Sequence, residues 1–131
     1  MSVINSVKFI DHQVTVSKTR VYLDVVVDVA AVLKSWQLSV FSFEWLDADG
    51  AVKPIEALKE QDQQRRKDVE AVIEAGGEIE KPVLGIGIQD NVEIGSGKAA
   101  FLVLAAQGAN AIPVHIPQSN EKDFKAFIVK D

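Results

Sequence analysis

The sequence predicts an α+β fold, an N-terminal antiparallel β-meander leading into a mixed α/β unit. Three observations predict it. Residues 21–29 alternate apolar and polar with period two. Past Pro54 the apolar residues recur at helical spacing. Beyond Gly76, short apolar runs alternate with turn residues around one segment that is apolar on every side. A period of two is the signature of a half-buried strand, and a period near 3.6 that of an amphipathic helix.

The elements follow in chain order. Val3 to Ile10 is a strand candidate. In the next strand Val21, Leu23, Val25, Val27 and Val29 share one face. Tyr22, Asp24, Val26 and Asp28 share the other, which the aspartates keep solvated. Trp36 to Leu46 is rich in aromatic and β-branched residues and predicts a strand with Phe41, Phe43 and Trp45 on one face. Trp36, Phe41, Phe43 and Trp45 are read as core, with an exposed recognition patch as the other reading. Asp47-Ala48-Asp49-Gly50 is a turn, because Asp and Gly tolerate its dihedrals. Three or four strands are expected before Lys53, making residues 1–53 a β-rich region of a single domain spanning 1–131.

Ile55 to Lys59 predicts a short turn or helix. Asp62 would cap a helix running to Ala75, with Val69, Val72 and Ile73 as its apolar stripe. Gly76-Gly77 ends it, since glycine takes the left-handed conformation after a helix. Pro82 to Ile88 is a strand, Asp90-Asn91 a tight turn, and Val92 to Ile94 the returning strand. Lys98 to Gln107 lacks a polar face and predicts a buried helix ended by Gly108. Ala111 to Ile116 is a strand whose Pro113 suits an edge or an end. Ser119 would cap a last short helix through Phe127.

Composition narrows the function. The chain has 131 residues, a net charge of -5 and no cysteine. Disulfides, thiolate metal sites and cysteine nucleophiles are excluded. There are 5 basic against 6 acidic residues through Lys53, and 9 against 13 beyond it. Static nucleic-acid binding, which needs phosphates neutralised by Lys and Arg, is disfavoured. Arg65-Arg66-Lys67 reads as a solvated helix face. Met1 to Phe9 lacks the pattern of a secretory signal, and no apolar run reaches membrane-spanning length. A cytoplasmic protein is expected.

Chemistry concentrates at Gly95-Ser96-Gly97-Lys98, between a strand and a helix. Such a turn offers backbone N–H groups and the positive helix end to an anion. It is not a P-loop, since Val92 and Ala99 stand where that motif needs Gly and Ser or Thr. His115 reads as a satisfied strand histidine; with His12 as the only other histidine, no metal spacing exists. Glu74, Glu78 and Glu80 include a candidate base or magnesium ligand.

From Pro54 to Ile116 the chain resembles the ParB/sulfiredoxin superfamily. The residues that carry the likeness are Ile55, Leu58 and Gln61, the helix with Gly76-Gly77, Lys81-Pro82-Val83, Val92-Glu93-Ile94, and Gly108 to Val114 (GANAIPV). The resemblance implies a phosphate turn at Gly97, with Ala100 where relatives commonly carry arginine. Asn120 and Glu121 are candidates for a second nucleotide-contacting region. Without cysteine, sulfiredoxin-type sulfur chemistry is excluded. With alanine at the arginine position, residues 54–131 are expected to form a degenerate unit of this type. The expected function is a non-catalytic binding or regulatory protein acting through protein partners or self-association, with no cofactor, no catalytic residue and no metal ligand assigned. The alternative is a nucleotide-binding enzyme or switch, with phosphate at Gly95, Ser96, Gly97 and Lys98 and magnesium alongside.

Overall fold

The computed structural model describes residues 7–12 and 21–129. Within them lie strands β1 (Lys8–Ile10), β2 (Tyr22–Asp28), β3 (Glu78–Glu80), β4 (Leu84–Ile86), β5 (Val92–Ile94) and β6 (Ala111–Pro117). The helices are α1 (Val29–Trp36), α2 (Glu60–Glu74) and α3 (Lys98–Ala106). The fold is α+β, as the sequence predicts. The strands form three two-stranded sheets: β1 parallel with β3, β2 antiparallel with β6, and β4 antiparallel with β5.

The N-terminal meander does not form among the described residues. β2 is a strand, but its partner is β6, almost ninety residues away, in a register running from Tyr22 opposite Pro117 to Asp28 opposite Ala111. The chain then turns directly into α1. The Asp28 carboxylate accepts the Ala30 N–H at 3.1 Å, so the residue read as a solvating strand aspartate is the helix N-cap. Val29, Val32 and Trp36 are the buried residues of α1, at helical spacing. Trp36 to Leu46 is not a strand either. Its 3-10 turn at Ser42–Glu44 is held by Trp45 N–H to Ser42 O at 3.0 Å and Leu46 N–H to Ser42 O at 2.8 Å. Of Val3 to Ile10, residues 3–6 lie outside the described residues, and β1 pairs with β3 rather than with β2.

The second half follows its prediction closely. α2 begins at Glu60, two residues before Asp62, which is buried in the first turn and pairs with Arg65 at 3.2 Å. Gly76 ends the helix at φ 71°. β4 and β5 form the expected hairpin. Glu78–Glu80, unassigned by the sequence pattern, is a separate strand. Pro113 lies inside β6, opposite Val26 of β2, rather than at the strand's end. Ser119 caps no helix: it sits inside a 3-10 turn at Gln118–Asn120, which hydrogen-bonded turns follow, with Phe124 fully buried.

The core lies between the β2–β6 ribbon, α1, the β4–β5 hairpin and α3. Phe101, Leu102, Val103 and Leu104 of α3 are all fully buried, as are Val27, Val32, Trp36, Ile112, Val114, Ile116 and Phe124. A helix this short is marginal on propensity alone, so packing holds it. Among the described residues no helix is long and apolar enough to cross a membrane.

Candidate functional site

α3 enters the core from Gly97, which has φ 84°. An added Cβ there would lie 2.9 Å from the Pro82 Cα. Backbone cannot yield as a flexible side chain does, and the left-handed conformation already disfavours a side chain. Gly97→Ala is therefore expected to cost about 1–3 kcal/mol, read by urea denaturation. Stability equal to the parent would show that the turn relaxes freely.

The turn is strapped to the strand lead beside it. Gly95 N–H donates to Val83 O at 2.8 Å, and Val83 N–H donates to Ser96 O at 2.9 Å. No side chain caps α3. Its first turn opens on a cleft of about 510 Å³ between α2, β3 and α3. Val69, Val72, Ile79 and Trp45 supply the apolar wall; Arg65, Asp68, Glu78, Glu80 and Lys98 supply the charges. The structure thus places Gly97 and Lys98 in one cavity. Gly95 lines a second groove with Phe41 and Ile88, and Ser96 lines neither. Asn120 and Glu121 are outside both cavities; the Asn120 amide donates to Asp123 at 3.4 Å. Glu78 and Glu80 reach the cleft and Glu74 does not.

Trp45 is nearly fully buried in that wall, and its indole Nε1 has no hydrogen-bond partner. Next to it Glu44 pairs with Lys59 at the start of α2. The Lys59 hydrogen bond, aided by the charges of Lys59, Lys98 and Lys53, holds the Glu44 carboxyl below its ordinary value. The Lys98 side chain makes no hydrogen bond or ion pair among the described residues. Of the basic run, Arg65 and Lys67 are exposed, as a solvated helix face requires, and Arg66 is held inward. Arg66 donates to Lys53 O at 2.9 Å and lies 3.5 Å from Glu70.

A second cluster surrounds His115, which is buried in β6. Its Nδ1 lies 2.7 Å from Asp24 Oδ1, and its Nε2 accepts the His12 backbone N–H at 3.0 Å. With Nε2 accepting, the ring proton sits on Nδ1 and donates to Asp24. Lys81 Nζ lies 3.1 Å from Asp11 and 3.6 Å from Asp24. Donor atoms of Asp11, Asp24 and His115 come within 4.8 Å of one another, the reach of a metal site. The donors are already engaged: an ammonium sits on both carboxylates and a backbone N–H fills Nε2. The histidine is satisfied, as its place between two apolar strand residues suggests. Its partners were not legible, because they come from β2 and from the residues after β1.

The third feature is the loop after α1. Ser39 and Ser42 are buried, with Ser42 Oγ donating to Ser39 O at 2.8 Å and Ser39 Oγ accepting the Phe41 N–H at 3.2 Å. Leu38, Val40, Phe41 and Phe43 are each more than half exposed. Small polar residues thus face in and large apolar ones face out, the reverse of the usual pattern. Ile88, fully exposed on the β4–β5 turn, borders the same groove. The four aromatic residues read together as core divide: Trp36 and Trp45 are core, while Phe41 and Phe43 are surface.

No known protein family, no curated protein and no solved structure matches the chain.

Proposed function

We propose that this protein is a non-catalytic binding or regulatory module on a degenerate ParB/sulfiredoxin-like unit, cytoplasmic, acting through a protein partner. One observation carries the reading: the loop of residues 38–43 is locked by the Ser39 and Ser42 hydrogen bonds in a form that points Leu38, Val40, Phe41 and Phe43 into solvent. Contiguous exposed apolar surface marks interaction sites, and aromatic anchors dominate interface energetics. A preset loop also costs less to order on binding. The order α2, glycine stop, strands, glycine turn, buried helix and β6 supports the family part of the reading.

Charge favours a partner over a second copy. The net charge of -5 makes two copies repel. Glu93 is the one charged residue lining the groove beside Phe41. An apolar surface flanked by Lys or Arg fits it. Phe41→Ser with Phe43→Ser should leave stability within about 0.5 kcal/mol, because both rings are exposed. The double variant should lose at least about tenfold in partner affinity. Cross-linking in cells followed by mass spectrometry, parent against variant, checks this. Cross-links to a partner that map on residues 38–43 and vanish in the variant are expected. Cross-links unchanged by the variant, or a concentration-dependent dimer that it dissolves, would sink the partner reading.

A second reading, nucleotide bound with magnesium at Gly95 to Lys98, draws on the uncapped first turn of α3 opening beside Lys98. Against a polyphosphate stand Ala100 at the arginine position and three carboxylates, Asp68, Glu78 and Glu80, in the same cleft.

A further inference from the structure

Among the described residues two titratable side chains are buried, Asp62 and His115. Asp62 pairs with Arg65 inside its own helix. His115 joins distant parts of the chain instead, and its two ring nitrogens have opposite roles. Nδ1 donates to Asp24 Oδ1 at 2.7 Å, and Nε2 accepts the His12 backbone N–H at 3.0 Å. The second bond exists only while Nε2 carries no proton, because an imidazolium is a donor at both nitrogens. A backbone N–H cannot turn acceptor in response. A proton on Nε2 therefore sets two donors against each other.

The titratable groups around the ring come from each element packed on it. Asp24 belongs to β2, Asp11 and His12 follow β1, and Lys81 follows β3. Asp11 Oδ1 lies 4.0 Å from Nε2, and Lys81 Nζ lies 3.1 Å from Asp11 and 3.6 Å from Asp24. Glu80, next to Lys81 in sequence, lines the cleft between α2 and α3 instead. Among the described residues two carboxylates thus face one ammonium, and an imidazolium brings the cluster to balance. The Asp11 carboxylate is also the nearest acceptor for a proton on Nε2. The ring therefore has partners in both charge states, His12 N–H when neutral and Asp11 when charged. What differs is the hold on the chain. β1 is three residues long and pairs with β3. Beyond that ladder the segment is tied by Lys81 N–H to Ile10 O at 2.9 Å and by the His12 N–H to His115.

We propose that His115 is a proton-operated latch on the segment that follows β1. With the ring neutral, Nε2 holds the His12 N–H and the end of β1 stays fastened to β6. A proton arriving at Nε2 breaks that bond and takes the Asp11 carboxylate as its acceptor, while Asp24 keeps the Nδ1 proton. The backbone at residue 12 is then released and β1 loosens from β3. The sign follows from the donor count: the latch is closed on the alkaline side of the His115 titration and opens as pH falls through it. The device is separate from the surface at residues 38–43 and does not rest on that reading.

Nitrogen NMR of the imidazoles and hydrogen exchange at the backbone amides test this, both followed from about pH 8 to about pH 5, where histidine ordinarily changes charge. Exchange is read as protection relative to the unfolded chain, which removes the intrinsic effect of pH. The His115 ring should carry its proton on Nδ1 at the alkaline end and become doubly protonated within the range. Protection of the His12 amide should fall about tenfold or more with the same midpoint, as a local opening. The Phe101 amide, which donates to Gly97 O in the buried helix, should stay protected throughout. His12→Gln keeps the backbone N–H and removes the other histidine, so it should reproduce the parent's curve. Asp11→Asn removes the carboxylate that receives the Nε2 proton and should move the midpoint to lower pH. Asp11 is about half exposed, so that variant folds. A ring that stays neutral to the acid end, a ring that titrates while His12 protection holds, a midpoint indifferent to Asp11→Asn, or loss of Phe101 protection in step with His12 would each overturn the proposal.

Discussion

Phe101→Ala will lose about 3–5 kcal/mol of folding stability, the usual cost of truncating a fully buried phenylalanine. Phe101 is inaccessible to solvent on α3, and its N–H closes the first helical turn on Gly97 O at 3.0 Å. Alanine is the better helix former, but that gain is below about 1 kcal/mol and cannot offset the lost packing. α3 also has no capping side chain and no charged residue in its last turn, so packing is its main support. Domains of this size hold on the order of 5–15 kcal/mol, so the variant should sit near the edge of stability with its midpoint lowered by roughly 10–20 °C. Thermal and urea unfolding read this directly. A loss below about 1 kcal/mol would mean that α3 is not at the centre of the core.

The prediction rests on the part of the fold that was easiest to read. Lys98 to Gln107 has one polar residue at each end and none between. α2 and its glycine stop were legible for a related reason: helical spacing and a left-handed residue are local signals. The region before Lys53 was not, because its decisive interactions are long-range. β2 has a clean alternation, yet nothing in residues 21–28 says that its partner is β6 rather than a neighbour. The start of α1 carried a readable sign in Asp28, an N-cap residue followed by apolar residues at positions 29, 32 and 36. The alternation through Val29 concealed it. Residues 36–46 misled for a different reason. Aromatic and β-branched residues favour strands because they fit a half-buried pleated surface. Here two tryptophans are buried, two phenylalanines are exposed, and the buried serines set the chain direction through local hydrogen bonds. The sequence singled out Gly95 to Lys98 as a turn; that Gly97 and Lys98 line a cleft walled by Trp45 and α2 is long-range and had no local signal.

His115→Leu will lose about 2–4 kcal/mol, although leucine is of comparable size and apolar neighbours surround the site. The imidazole joins three parts of the chain. Nδ1 donates to Asp24 of β2 at 2.7 Å, Nε2 accepts from His12 just after β1 at 3.0 Å, and the backbone N–H donates to Pro82 O at 2.9 Å. The last bond survives substitution; the first two do not. The His12 N–H is partly buried, and leaving such a donor without its acceptor costs about 1–3 kcal/mol. Asp24 is more than half exposed, so its carboxylate rehydrates and keeps Lys81 nearby, which limits that loss to about 1 kcal/mol. Asp24→Asn, which retains an acceptor oxygen, should therefore cost less than His115→Leu. The two losses should not add, because both variants break the same bond. Hydrogen exchange at the His12 amide separates this from a packing effect. Faster exchange in His115→Leu and near-parental exchange in Asp24→Asn are expected. Equal protection in all three proteins would mean that β1 and β3 hold this segment without the histidine, and that its burial reflects space filling alone.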